Sequence, residues 1–257
     1  MTIFRAMFSR KWILATLLVL AGTAFCARMG IWQLDRLAQR RAFNEHYLEA
    51  SMSSPLMLTA APQDDLSTME YRLITVTGQY DPAHQVVLRN QFHDNQPGYF
   101  LLTPLLLSDG TGIFVERGWI PAEGNTNPSE WHQYDQPGDV TVSGTIRLGA
   151  SQPELGGVPD PELAAGQTGL DFWNIVNLAR ISRQVPYKLL PVFVQPEPDA
   201  TLTAPPYPYQ PVIEITEGPH FGYALQWFTF ASMLFLGYPF FLRKQLTTRA
   251  SAADSEE

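Results

Sequence analysis

The sequence predicts an integral membrane protein of the α+β class. Two transmembrane α-helices flank an extracytoplasmic, mainly antiparallel β domain, barrel- or sandwich-like in build. Three observations predict it. The stretch Phe221–Leu242 has 22 residues without a formal charge, which as a helix spans ~33 Å against a hydrocarbon core of ~30 Å. A second apolar run starts at Trp12 and continues to Leu34. Between the two lie β-branched, alternating segments punctuated by Gly, Pro, Asn and Asp, the pattern of strands and turns.

Charge and cysteine content narrow the function. The 257-residue chain carries a formal net charge of −8. Residues 29–219 hold 10 basic and 22 acidic residues. So acidic a middle region argues against nucleic acid as a partner, because phosphate backbones demand basic surface. A single cysteine, Cys26, lies in the first apolar run. It excludes an internal disulfide framework and thiol–disulfide exchange, and it argues against copper carriage by paired thiolates.

Taken in order, residues 1–11 read as a cytoplasmic N-terminus and 12–34 as the first transmembrane helix. A cleaved signal peptide is the main alternative. The run continues past Arg28 through MGIWQL, longer than a signal core, which favours a retained helix. Gly22, Cys26 and Gly30 lie four apart and share a slim face on which a second helix can pack. Residues 35–219 form the extracytoplasmic domain. It begins with a polar helical continuation over 35–50 and a breaker-rich approach over 51–67. Strands are expected over Tyr71–Tyr80, Gln85–Phe92, Tyr99–Leu107, Gly112–Trp119, Val140–Leu148 and Leu189–Gln195. Ser108-Asp109-Gly110 reads as a hairpin turn. Residues 149–171 are a Gly- and Pro-rich loop, and Trp173–Gln184 has helical spacing up to the stop at Pro186. The Pro-rich stretch 196–211 reads as an extended connector. It leads to the second transmembrane helix, 220–242, and to a cytoplasmic tail over 243–257, small, charged and expected to be disordered.

Orientation follows from the flanks. Arg243, Lys244 and Arg249 follow the second helix, and no Lys or Arg lies close before it. The positive-inside rule then places both termini in the cytoplasm and the middle domain outside it. No Arg- and Ser-rich presequence precedes Trp12, which favours a bacterial cell membrane over an imported organelle protein.

The chemistry-bearing candidates cluster at the lip of the second helix. His220, Tyr223, Trp227, Phe230 and Leu234 form a stripe at helical spacing. An imidazole lined by aromatics at a membrane surface can hold a flat, apolar, iron-bearing ligand. The same residues can also be interfacial anchors, with the histidine bonded to water or headgroups. Spacing alone does not choose. His46, His84, His93 and His132 show no metal-pair spacing. Arg117-Gly118-Trp119 closes a strand, with Gly118 suited to a bulge and Trp119 to the core. Arg28 and Arg36 near headgroup level can face lipid phosphate or another anionic group. No Walker loop, GxSxG, HExxH or dinucleotide-binding turn occurs, so nothing marks the chain as an enzyme.

The ordered set Gly30, Trp32-Gln33-Leu34 and Arg36; Tyr71-Arg72 with Val76–Tyr80; Pro97-Gly98-Tyr99 with Thr103-Pro104-Leu105; Arg117–Pro121; and His220, Tyr223–Phe228 and Ala231 resembles the SURF1/Shy1 family. These are assembly factors of cytochrome c oxidase in the respiratory chain. The likeness runs nearly end to end, apart from the insert at 154–171 and the proline connector. It implies a non-enzymatic, chaperone-like protein of the membrane. It also implies binding of haem a and help in its insertion into the large oxidase subunit, subunit I, with haem a synthase a further possible partner. His220 matches the family's second-helix histidine and is the implied iron ligand. Tyr223 and Trp227 would line the pocket, and Arg28 or Arg36 would meet a propionate. The rivals are a scaffold that stabilises an oxidase intermediate without holding haem, and an unrelated envelope protein.

Overall fold

The computed structural model describes residues 3–164 and 166–253. Among them, the helices are α1 (Ile3–Met7), α2 (Ile13–Met52), α3 (Leu178–Ile181) and α4 (His220–Ala253). The strands are β1 (Leu56–Leu58), β2 (Leu73–Tyr80), β3 (Val86–His93), β4 (Gln96–Leu106), β5 (Gly112–Pro121), β6 (Asp139–Leu148), β7 (Phe172–Trp173) and β8 (Leu189–Pro196). The chain divides into two compact units, Met1–Glu45 with Glu214–Glu257, and His46–Ile213.

In the first unit α2 and α4 are both long and apolar enough to cross a membrane. α2 runs 40 residues without interruption, because residues 35–50 are good helix formers lacking Gly and Pro. α4 reaches Ala253, where the sequence suggested a disordered tail. An Ala-containing stretch without Gly or Pro extends an existing helix readily, since only the first turn is costly to form.

In the second unit the strands join into one sheet in the order β1-β2-β6-β8-β5-β4-β3-β7. The end of β2 also pairs with β4, Gln79 opposite Leu106 and Tyr80 opposite Leu105. That contact closes β2, β6, β8, β5 and β4 into a ring. Its interior is filled by Ile74, Val76, Leu105, Val115, Ile146, Val192 and Val194, all buried. Alternation explains the fill: β2 turns Ile74 and Val76 inward, while Thr75 and Thr77 bond outward to Ser143 and Thr141, each at 3.0 Å. The opposite face of β4 and β5 carries a second cluster around Phe100, Phe114, Trp119, Trp173 and Phe193. Both faces of β5 are therefore covered, which is why it reads GIFVERGWIP with little alternation.

Most pairings are antiparallel, but β1–β2, β3–β7 and β5–β8 are parallel. A parallel neighbour requires a long crossover, and the segment from Ala122 to Lys188 supplies one between β5 and β8. Two elements of the sheet also differ from the sequence reading. β1 lies in the stretch taken as breaker-rich, and three residues are too few to carry a periodicity. Trp173–Gln184 is not a helix throughout: Phe172–Trp173 pair with Val87–Leu88. Only Leu178–Ile181 are α-helical, followed by a 3-10 turn to Gln184. The Asn177 side chain accepts from Arg180 N at 3.1 Å and starts the helix there. Trp173 is drawn into the core, its indole N–H donating to Leu170 O at 2.9 Å.

Within the extended connector 196–211, residues 207–210 dock on the sheet. Trp119 N donates to Tyr207 O at 2.8 Å, and Tyr207 N to Trp119 O at 3.0 Å. Tyr209 stacks on Phe100 with centroids 5.9 Å apart, and Gln210 Nε2 donates to Gln195 O at 2.8 Å. Gly118, the bulge residue expected from the sequence, lies beneath this strap at φ +132°. Next to it, Arg117 serves structure: its guanidinium lies 4.7 Å from the Tyr80 ring centroid and Nη2 donates to Tyr134 O. Burial pulls the Arg117 pKa down, opposed by Tyr80 and Asp135.

Candidate functional site

The site is built from the first unit, where α2 and α4 run antiparallel. On α2, Thr16, Thr23, Gly30 and Leu37 recur every seven residues, with Cys26 between them. On α4 the buried positions Ala224, Ala231 and Tyr238 recur at the same interval, with Leu242 beyond. A seven-residue repeat keeps one narrow stripe of each helix facing the other. Trp12 meets Phe241 edge-on at 6.0 Å, Thr16 Oγ1 bonds Tyr238 Oη at 2.7 Å, and Phe25 meets Trp227 edge-on at 5.9 Å.

The slim face of α2 does pack on α4, and it receives side chains. Gly30 holds the ring of Phe228: a Cβ there would lie 2.7 Å from Cε1. At Gly22 a Cβ would clear Leu234 Cδ1 by 3.4 Å, an ordinary contact. Gly30→Leu should therefore destabilise the full-length protein by about 1–3 kcal/mol, while Gly22→Ala should be near neutral. Thermal unfolding of the two variants in detergent checks the contrast, and equal midpoints would refute the packing argument.

His220 sits at the top of this stripe, four residues before Ala224. Its Nδ1 lies 2.8 Å from Oε1 of Gln33, itself three residues past Gly30. The chain enters α4 through Gly218, at φ +66°, and Pro219. A Cβ on Gly218 would stand 3.6 Å from Nε2 of His220, so glycine keeps that side of the imidazole open. The segment just before is fastened to α2. Arg41 Nε and Nη2 meet the two Glu217 carboxylate oxygens at 2.8 and 2.9 Å. Arg40 donates to Thr216 O and Glu214 O, and Asn44 to Thr216 O. The hydrogen bond from Arg41 holds the Glu217 carboxyl below its usual pKa.

The five residues singled out from the sequence are placed unequally. Trp227 joins an aromatic wall with Phe25 and Phe230. Tyr223 is exposed, one turn from His220. Arg36 is exposed, its guanidinium over the Trp32 ring at 5.7 Å and Nη1 donating to Gln39 Oε1 at 2.8 Å. Arg28 is two residues from both Cys26 and Gly30, about 200° around the helix from each. It is exposed on the side turned from the stripe. Gln33 is the partner that sequence reasoning passed over. Its signal was present: an amide closing an apolar run needs a hydrogen-bond partner, and the second helix supplies one.

These residues fit a macrocyclic iron cofactor better than a bare ion. Among the described residues no group of three or more His, Cys, Asp or Glu side chains could hold a metal. A porphyrin brings its own four nitrogens and asks the protein for an axial imidazole. His220 has one ring nitrogen engaged by Gln33, the other beside an open glycine, and aromatic rings below.

A β barrel encoded between two helices long and apolar enough to cross a membrane, with a histidine at the start of the second, defines the class. Residues 20–232 match the model of the SURF1 family. The chain belongs to that family, which is known generally for oxidase assembly factors. It is similar to a SURF1-like protein of Mycobacterium tuberculosis, 26% identical over 93% of this chain and 86% of that one. A SURF1-like protein of Monosiga brevicollis is 28% identical over 84% of this chain and 83% of its own. A Rickettsia felis SURF1-like protein is 32% identical over 40% of this chain and 45% of its own length.

Proposed function

We propose that this protein is an assembly factor for haem–copper cytochrome c oxidase, that it holds haem a on His220, and that it helps insert the haem into subunit I. The observation that carries this reading is the His220–Gln33 pair, which leaves Nε2 of an interfacial imidazole uncommitted. Haem a, when bound, supplies a redox-active iron with four nitrogen donors and an apolar face. His220 would hold the iron through its Nε2. Trp227 and Phe25 wall the site and limit access of water. Tyr223 offers a hydroxyl at the rim, and Arg36 offers a guanidinium to a propionate. The protein works by holding and releasing, without catalysis. On this reading it resides in the bacterial cell membrane, both termini cytoplasmic, and the barrel recognises subunit I or haem a synthase outside the cytoplasm.

The test is purification of the full-length protein from cells that make haem a. Wild type and His132→Ala, altered at an exposed histidine of the β domain, should carry haem a with its Soret band. His220→Ala should lose at least about 90% of it, given that an axial ligand fixes the iron. Full haem content in His220→Ala would rule out the axial role. A wild type without haem, in a strain whose oxidase fails when the protein is deleted, would favour the scaffold reading.

A further inference from the structure

We infer that Gln33 is the positioning residue of the His220 site: it fixes the tautomer of the imidazole, and its neutral amide keeps His220 a ligand suited to release. The inference rests on reading His220 as the haem ligand, and it deepens that reading. The geometry is specific. The Gln33 atom at Nδ1 is the amide oxygen, at 2.8 Å. In this pairing the carbonyl oxygen accepts, which makes Nδ1 the donor. In a neutral imidazole the lone pair is then on Nε2, the nitrogen beside Gly218.

The two side chains come from different helices, 187 positions apart. Each is half-buried at the same end of the stripe: Gln33 lies between the buried Gly30 and Leu37, and His220 precedes the buried Ala224. Packing of the stripe thus sets where the amide stands. The neighbouring acid, Glu217, is committed to Arg41, so it does not compete for Nδ1.

The chemical identity of the partner matters. A group that accepts a hydrogen bond from the far ring nitrogen raises the basicity of the ligating one. A carboxylate there pulls the proton strongly and makes the imidazole a strong donor to iron. An amide oxygen pulls weakly. A protein that keeps its haem gains from the first arrangement, and one that passes haem on gains from the second.

The experiment uses full-length protein labelled with 15N-histidine, in detergent, at pH 8. The chain has five histidines, and His220→Gln assigns the signals of His220. Wild type should show a protonated Nδ1 and an unprotonated Nε2, and Gln33→Leu should relax this to a mixture of tautomers. With haem a loaded, Gln33→Leu should release it about 10- to 100-fold faster, the usual cost of losing an outer-shell partner. Gln33→Glu should release it at least several-fold more slowly, with a lower iron midpoint potential. A protonated Nε2 in wild type, or a tautomer indifferent to Gln33→Leu, overturns the inference whether or not haem binds. Equal release from wild type and Gln33→Glu overturns the claim about ligand strength. A wild type with the stated tautomer that takes up no haem a sinks the haem reading and supports the orienting role.

Discussion

Gly118→Val is expected to strip residues 204–211 from the sheet and to cost the β domain about 3–6 kcal/mol, adding backbone strain to a steric collision. The backbone at 118 has φ +132°, where a β-branched residue is strained. A Cβ there would lie 2.3 Å from the Tyr207 carbonyl carbon, 2.4 Å from its oxygen and 2.5 Å from Pro208 N. These are backbone atoms tied down by the reciprocal Trp119–Tyr207 bonds, so they cannot step aside cheaply. The strap must leave, and it takes Tyr207 from its stacks with His93 and Trp119 and Tyr209 from Phe100. Gly110→Val separates strain from collision: Gly110 is at φ +78° with nothing near its missing Cβ. It should cost about 1–3 kcal/mol, the strain alone. Urea unfolding of the full-length proteins, followed by tryptophan fluorescence, measures the difference, and proteolysis within 197–213 reports strap release. Equal losses in the two variants would defeat the docking argument.

Glu116→Gln should stabilise the barrel at pH 7 and above by an amount on the order of 3 kcal/mol. Glu116 is buried in β5 and accepts a hydrogen bond from Gln195 Nε2 at 2.9 Å. Burial pushes its pKa up from 4.5 to about 7, against smaller downward pulls from Gln195 and Arg147. The sign follows directly. The folded state binds the proton more tightly than the unfolded chain, so stability is fully present below pH 4.5. It is lost as pH rises toward about 7 and levels off above that. Glutamine keeps the acceptor oxygen for Gln195 and has no proton to lose. The gain should vanish near pH 4.5 and reach its full size above pH 7. A gain that is the same at both pH values would show that ionisation of Glu116 is not its source.

Much of the fold was legible because it is locally encoded. The two apolar runs, the alternation in Leu73–Tyr80 and the Ser108-Asp109-Gly110 turn each announce themselves within a dozen residues. What misled was also local. The helical spacing of Ile175, Leu178 and Ala179 is real, but Asn177 starts the helix late and pairing with Val87–Leu88 claims Phe172 and Trp173. The proline content of 196–211 gave an extended connector but not its docking. Prolines leave the chain extended, and an extended chain with Tyr207 and Tyr209 at hand finds a sheet to bond to.

The candidate site divides in the same way. His220 was visible as the one histidine at the edge of an apolar run, and Trp227 as its neighbour on a helical face. Gln33 carried a signal, an amide closing an apolar run, but its pairing with His220 and that of Phe25 with Trp227 were not legible, because helix spacing says which residues share a face but not which face meets another helix.

By itself, the sequence determined the two membrane-length helices, the β-rich segment between them and the family to which they belong, since hydrophobic length, alternation and motif order are properties of neighbouring residues. Only the tertiary structure decided that β2 closes onto β4, that β5 and β8 run parallel, and that the amide of Gln33 takes one nitrogen of His220. Each of those is a contact between residues far apart in the chain. Its energy depends on which surfaces are brought together, and nothing in local periodicity carries that information.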